Sequence, residues 1–407
     1  MQRAPHDPDR DPIAALQISN DRRILLLVMD GLGGMPRAPG GPTELEAART
    51  PNLDALARGA ECGLHLPIDY GIAPGSAPGH LALFGYDPLQ YPIGRGIVAA
   101  LGIGFPVRSG DVAVRLNFAT RDGAGAVTDR RAGRIPTARC AELAARLDAI
   151  DLPGVEVAVR PVRDYRAVVV LRGAGLSDAV ADTDPQATGI PAREPRATAP
   201  EGEHTAAVTA AFVARARELL VAAAPANEVL LRGFARLPEI PSLQQRFGLR
   251  PVALAVYPDY KGVSRLVGME VIEDLADLAA QGRALAQAWP DYDYFFVHHK
   301  YTDSAGEDGD FDAKVAEIEK VDAALPVLLA AGPDVVIVTG DHSTPSTARS
   351  HTAHPVPFLI HAAGARADTV REFGERACSG GAWGVVPGRA LLAIALGHAG
   401  KVARYGA

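Results

Sequence analysis

The chain has 407 residues, 48% of them apolar, and a net charge of −7, which is enough for a large core and, by length, for two or three domains. The acidic balance and the absence of a long basic block argue against a nucleic-acid-binding surface. Apolar runs such as Ile24-Leu25-Leu26-Leu27-Val28-Met29 are too short to cross a bilayer.

Residues 1–20 are rich in Asp, Arg and Pro without periodicity and are expected to form a flexible N-terminal arm that lacks a hydrophobic signal region. Three widely spaced cysteines, Cys62, Cys140 and Cys378, show no metal-ligand spacing and fit reduced thiols in a cytoplasmic protein. The run Ile24 to Met29 predicts a buried strand that delivers Asp30 into Gly31-Leu32-Gly33-Gly34. A turn-forming Asp before Gly is the plain alternative to a functional Asp30. After a helix signalled by Thr50-Pro51-Asn52 comes Gly71 to His80, a stretch unlike helix or strand in which Ser76 stands between Pro-Gly and Ala-Pro-Gly. Such a turn either is structural or presents the hydroxyl as a nucleophile, and with no adjacent base a bound divalent ion would have to activate it. The spacing of Gly75-Ser76-Ala77-Pro78-Gly79 does not match the esterase nucleophile elbow.

Between residues 111 and 248 the pattern shifts to shorter strands, at 111–118, 155–160 and 167–171, alternating with Ala-rich helices, and it predicts a separate domain. A helix is expected over 205–223 with Val208, Phe212, Ala216 and Leu219 on its apolar face. Arginines gather here, among them Arg130, Arg131, Arg134, Arg163, Arg166, Arg172 and Arg232. They are either solvated surface or a bidentate clamp for a phosphate or carboxylate.

Buried strands resume at Val252, with 254–257 leading to Lys261-Gly262 and Tyr294 onward leading to His298-His299-Lys300. The acidic stretch from Asp303 to Asp310 fails the EF-hand pattern at Ala305. Asp303 and Glu307, four apart, share a face if a helical turn begins at Asp303. An amphipathic helix follows over 311–329, then the β-branched run Val335 to Val338, which ends in Thr339-Gly340-Asp341-His342-Ser343. Asp30 and Asp341 both end continuous apolar strands and should emerge on one edge of a parallel sheet, where ligands bind in open α/β folds. His342, His351 and His354 fall within thirteen residues beside a carboxylate. That spacing favours a metal site over packed core imidazoles.

Several of these stretches occur together in one known family. Met29-Asp30-Gly31-Leu32-Gly33-Gly34, Ala73 to His80 with Phe84-Gly85-Tyr86-Asp87-Pro88, Asn117-Phe118-Ala119-Thr120, Thr183-Asp184-Pro185, and Thr339 to Pro345 resemble the archaeal-type, cofactor-independent phosphoglycerate mutases of the alkaline phosphatase superfamily. The match runs in order from about Arg23 to the C-terminus. It implies an α/β fold: a doubly wound, mostly parallel sheet of alkaline-phosphatase type, residues 21–110 and 249–407, interrupted by a smaller α/β (α+β) substrate domain, residues 111–248. It implies interconversion of 3-phosphoglycerate and 2-phosphoglycerate in glycolysis and gluconeogenesis, with no 2,3-bisphosphoglycerate, nucleic acid or membrane partner, and leaves oligomeric state open. By the resemblance Ser76 is the phosphorylated nucleophile and, with Asp30, Asp341 and His342, a ligand of one divalent ion. Asp303, Glu307 and His351 are then ligands of a second, with Mn²⁺ expected first and Mg²⁺, Zn²⁺ or Co²⁺ as alternatives. Glu307 departs from the family pattern, which usually has His there. Glu is the harder ligand, so a shift in metal preference is expected rather than loss of the site. His80, Asn117, Arg166, Arg172, Arg232 and Lys261 are the expected substrate contacts. The reaction would move the phosphoryl group to Ser76 and back onto the other hydroxyl of a retained glycerate, with domain closure about hinges near Asp111 and Gly248 excluding water. A metal-dependent phosphatase, or a phosphonate or phosphodiester hydrolase of the same superfamily, is the alternative activity, and a non-catalytic phosphometabolite-binding module a third.

Overall fold

The computed structural model describes residues 12–406, and the chain separates into two compact units, 1–92 with 240–407, and 93–239. In chain order the strands are β1 (Ile24–Met29), β2 (Ala60–Leu66), β3 (Val112–Arg121), β4 (Val127–Asp129), β5 (Glu156–Arg163), β6 (Arg166–Arg172), β7 (Glu228–Arg236), β8 (Pro251–Leu254), β9 (Glu270–Val271), β10 (Tyr294–His299), β11 (Val335–Thr339), β12 (Val356–Ala362) and β13 (Val385–Pro387).

The first unit is an eight-stranded sheet in the order β13-β2-β12-β11-β1-β10-β8-β9. Neighbours pair in parallel except where β12 meets β11 and β2. β1, β10 and β11 are buried at every position, as their unbroken apolar sequences require when helices cover both faces. On one face Leu25, Leu27, Phe295, Val297, Val336 and Val338 pack with Ile318, Val321, Leu325 and Leu328 of the helix Phe311–Leu329. On the other, Phe296 meets Phe84, which caps the C-terminal end of the helix Ser76–Leu83, edge-on with ring centroids 5.0 Å apart. The result is the doubly wound α/β arrangement. Because β1 lies between β10 and β11, three strand ends open side by side, and Asp30, Lys300 and Gly340-Asp341 are the first residues beyond them.

Two expectations for this unit change. The strand before Lys261 is Pro251–Leu254, and residues 258–266 are already helical, since Pro258 starts the helix at its first position. The expected arm over 1–20 lies outside the described residues as far as residue 11. Beyond that, Gln17 bridges Val402 and donates to Arg246 O at 2.7 Å, while Asn20 donates to Ala399 O and Gly400 O at 2.9 Å, so 12–20 are tied down.

The second unit is an antiparallel sheet in which β3 pairs with β6 and β7, β6 with β5, and β4 with the end of β3. Val112, Val114, Leu116 and Phe118 alternate onto a core formed with the helices Thr137–Asp148 and Glu203–Leu220. The long helix buries Thr205, Thr209, Phe212, Ala216 and Leu220, whereas Leu219, expected on that face, is 46% exposed. Its position shows the true stripe is rotated by about one residue. This unit begins at Ile93 rather than near Asp111, because the helix Arg95–Gly102 packs on β3 so closely that a Cβ on Gly96 would stand 2.0 Å from Ala113 O; its other limit is Glu239 rather than Gly248.

Candidate active site and metal centre

Asp30 follows β1, Asp341 and His342 follow β11, Asp303 lies in the helix Tyr301–Asp308 after β10, and Ser76 opens the helix Ser76–Leu83. Residues scattered through the sequence thus converge at one end of the sheet. Asp30, Asp341, His342 and Asp303 are fully buried. Ligand atoms of Asp30, Asp341 and His342 lie within 4.8 Å of one another, and so do those of Asp303, His342 and His351.

Hydrogen bonding fixes how these groups face. Thr344 Oγ1 stands 2.6 Å from Asp303 Oδ1 and 2.9 Å from His342 Nδ1. A carboxylate can only accept, so the hydroxyl donates to Asp303 and receives the Nδ1 proton. His342 Nε2 is then the bare nitrogen, 3.3 Å from Asp30 Oδ1, 3.2 Å from Asp341 Oδ2 and 3.2 Å from Ser76 Oγ. The ring of His351 stacks on His342 with centroids 3.6 Å apart; its Nδ1 donates to Pro74 O at 2.8 Å, and its Nε2 faces Asp303 Oδ1 at 3.5 Å.

Both oxygens of Asp30 and Oδ2 of Asp341 are buried without a hydrogen-bond partner among the described residues. Lone pairs turned on one another in a dry site are repulsive unless a cation lies among them. The ammonium of Lys300 lies 3.3 Å from Asp30 and pairs with Asp303, and it faces three carboxylates, those of Asp30, Asp303 and Asp341. The mixed oxygen and imidazole set therefore fits a divalent cation.

Titration follows the same arrangement. Burial opposes the charge of Asp30, but Lys300, His298 and His342 hold its carboxyl well below the usual range. For Asp303, burial and Asp30 push upward, and His351 with Lys300 outweigh them and bring it to about 2. Burial dominates at His298 and pushes it down to about 4, so the ring is neutral beside Asp30. His351 is also penalised by burial, yet Asp303 and the Pro74 carbonyl raise it to about 9.

Backbone geometry needs glycine at two points. Gly31 has φ +61, and a Cβ there would meet Thr344 Oγ1 at 2.6 Å and Asp303 Oδ1 at 2.8 Å. Gly79 lets the Ser76 helix lie directly on the Asp341 backbone.

A model described as 2,3-bisphosphoglycerate-independent phosphoglycerate mutase matches residues 57–227. The chain is 48% identical over 407 residues to a protein of Aquifex aeolicus named as a probable 2,3-bisphosphoglycerate-independent phosphoglycerate mutase, covering 98% of this chain and 100% of the relative. It is 50% identical over 390 residues to the Thermus thermophilus protein of the same name, covering 95% and 96%. The chain belongs to the 2,3-bisphosphoglycerate-independent phosphoglycerate mutase family. A solved cofactor-independent phosphoglycerate mutase from Thermoplasma acidophilum superposes with a TM-score of 0.70 at 31% identity, over 93% of this chain and 100% of that one.

As a phosphoglycerate mutase the enzyme is an isomerase, and its other expected site residues divide in two ways. Glu307 shares a helix face with Asp303 as the spacing predicted, but its side chain is 56% exposed, 3.9 Å from His351 Nε2, and outside both converging groups. His80, expected at the substrate, is wholly buried among Phe84, Tyr260, Phe296 and His298, with Nδ1 3.1 Å from Asp341 Oδ2. Its place is behind the carboxylate, with the same Nδ1 2.9 Å from Ser76 O. Lys261 pairs with Glu273 instead of entering the cluster. The sequence reading noted His298 and Lys300 at the polar end of a strand and Thr344 in the stretch Thr339 to Pro345 but gave none of them a role in the site.

In the second unit Asn117 is opposite Arg166, and Arg115 opposite Arg232, so all four share the sheet face turned away from the main helical core. Arg232 approaches Asp184 at 3.3 Å, and Arg130 grips the same buried carboxylate bidentately at 2.8 Å. Arg166 lies over the Tyr165 ring at 5.2 Å. Arg172 departs from expectation: its guanidinium clamps Asp111 at 2.8 and 2.7 Å and reaches Glu156 at 3.3 Å, so its donors are used within the fold.

Among the described residues no helix is long and apolar enough to cross a membrane.

Proposed function

We propose that the enzyme interconverts 3-phosphoglycerate and 2-phosphoglycerate in glycolysis and gluconeogenesis through a phosphoserine at Ser76, with two divalent ions held by the two ligand groups. The observation that carries this reading is Ser76 Oγ at 3.2 Å from a His342 nitrogen that also faces two buried carboxylates. Asp30, Ser76, Asp341 and His342 would hold one ion, and Asp303 and His351, joined by Glu307 in another side-chain rotamer, the second. Mn²⁺ suits this oxygen-rich set best. Bound there, the ions supply the positive charge that makes a serine alkoxide and a crowded phosphoryl group less costly.

The protein's own groups do the rest. Ser76 is the first residue of its helix, and no side chain caps the turn, so free amides face a phosphoryl group placed on its hydroxyl. Lys300, between Asp30 and Asp303, offsets anionic charge at the reacting centre. His80, its Nδ1 2.9 Å from Ser76 O and 3.1 Å from Asp341 Oδ2, bridges the first turn of the Ser76 helix and the Asp341 carboxylate from behind. The second unit would act as the substrate domain, its face bearing Asn117, Arg166 and Arg232 supplying donors to the carboxylate and hydroxyls of glycerate. Retention of glycerate between the two transfers is what separates a mutase from a phosphatase.

The test is turnover of 3-phosphoglycerate with Mn²⁺ and no bisphosphoglycerate, following 2-phosphoglycerate and free phosphate together. The parent should yield 2-phosphoglycerate without phosphate release, and Ser76→Ala should lose at least about a thousandfold in kcat. Phosphate as the main product would replace this reading with the hydrolase one. Activity surviving in Ser76→Ala would remove the phosphoserine step.

A further inference from the structure

Lys314 lies in the first turn of the helix Phe311–Leu329, where the helix dipole disfavours a cation, and it is wholly buried. Its ammonium donates to Gly31 O at 2.8 Å, Gly33 O at 3.0 Å and Thr344 O at 2.8 Å, so each of its three protons has a backbone acceptor. Those carbonyls belong to the two loops that carry Asp30 and Asp341-His342. The same loops touch directly through Thr344 N, which donates to Gly33 O at 3.0 Å.

Two carboxylates, the buried Glu44 and the half-buried Glu375, complete the arrangement from the amide side. Glu44 accepts from Met35 N at 3.0 Å and Ser346 N at 2.8 Å, and Glu375 accepts from Gly34 N at 2.9 Å. A cation thus gathers loop carbonyls, and anions gather loop amides, beneath the candidate metal ligands. Burying an ammonium is costly, and an apolar side chain of similar volume would fill the same space at lower cost. What an apolar chain cannot do is draw three carbonyls from two separate loops onto one point.

We propose that Lys314 is a positioning residue of the metal centre: its ammonium fixes the spacing of the Asp30 loop against the Asp341-His342 loop and thereby sets the affinity for the divalent ion. Groups that orient metal ligands commonly govern affinity in this way. The proposal rests on the reading that these ligands hold divalent ions, and the parent's own Mn²⁺ binding checks that reading separately.

The experiment titrates Mn²⁺ into the full chain and its Lys314→Met and Lys314→Ala variants, following the free ion by EPR, alongside thermal melts in chelator and measurement of KM and kcat. We expect Lys314→Met to fold, to bind Mn²⁺ at least tenfold more weakly, and at saturating Mn²⁺ to keep the parent KM while losing kcat. In Lys314→Ala, n-propylammonium, which replaces the missing part of the side chain, should restore Mn²⁺ affinity, and n-propanol of similar size should not. A folded Lys314→Met variant with parent Mn²⁺ affinity would overturn the proposal. So would a loss of binding that only tracks the unfolded fraction, or recovery of the Lys314→Ala fold in n-propylammonium without recovery of Mn²⁺ binding. A parent that binds no Mn²⁺ would instead remove the metal reading beneath it.

Discussion

Gly79 lies against the backbone of Asp341 so closely that a Cβ at Gly79 would stand 2.4 Å from the Asp341 carbonyl oxygen. The helix that carries Ser76 and the loop that carries a candidate metal ligand are thereby held in direct contact. Replacing a helical glycine by alanine ordinarily stabilises a protein by about 0.5–1 kcal/mol. Here the sign should reverse. Gly79→Ala must push the Ser76 helix off Asp341, and a displacement of about 1 Å at a reacting centre costs on the order of a hundredfold in rate. Melting temperature and kcat should fall together. A variant with a raised melting temperature and parent kcat would show that the contact does not set the position of Ser76.

Arg172 tests whether an arginine of the second unit serves the fold or the substrate. Burial works against the Asp111 charge, but Arg172 and the Arg108 amide hold its carboxyl below the usual value. A depressed carboxylate contributes stability that is fully present above its unfolded value of about 4 and is lost as pH falls through the lower folded value. Arg172→Met should therefore cost about 1.5–3 kcal/mol at pH 7, and the gap from the parent should narrow below about pH 4. Urea unfolding at several pH values measures it. A gap independent of pH, or a raised KM with unchanged stability, would return Arg172 to the substrate.

Glu307 can be tested by restoring an imidazole. If the carboxylate joins Asp303 and His351 around an ion, Glu307→His should move the ratio of Zn²⁺ to Mn²⁺ affinity by at least about tenfold toward Zn²⁺, the softer ion. Competition titrations read this directly. An unchanged ratio would leave Glu307 outside the ligand set, where its exposure of 56% now finds it.

Much of this architecture was legible because unbroken apolar runs mark strands buried on both faces. Ile24–Met29 and Val335–Val338 pointed directly to Asp30 and Asp341, and the four-residue spacing of Asp303 and Glu307 anticipated their shared helix. What stayed hidden were choices made by partners far away in sequence. Arg172 and Asp111 are 61 residues apart, and nothing local distinguishes a guanidinium that clamps a buried carboxylate from one that waits for a phosphate. Lys314 looks like a surface residue of an amphipathic helix until the Gly31 and Thr344 carbonyls are found above it. His80 was assigned to the substrate for want of a reason to place it behind Asp341.

The place of β1 between β10 and β11 has a consequence for synthesis. Residues 93–239 form one uninterrupted stretch whose sheet can close as it leaves the ribosome, whereas the run Ile24 to Met29 has no neighbours to pair with until residues 294–299 and 335–339 are made. At about 5–20 residues per second that is a wait of roughly ten seconds to a minute. Throughout it that apolar hexapeptide is without its sheet partners, so the exposed strand of the nascent chain lies at its amino-terminal end rather than in the interrupting unit.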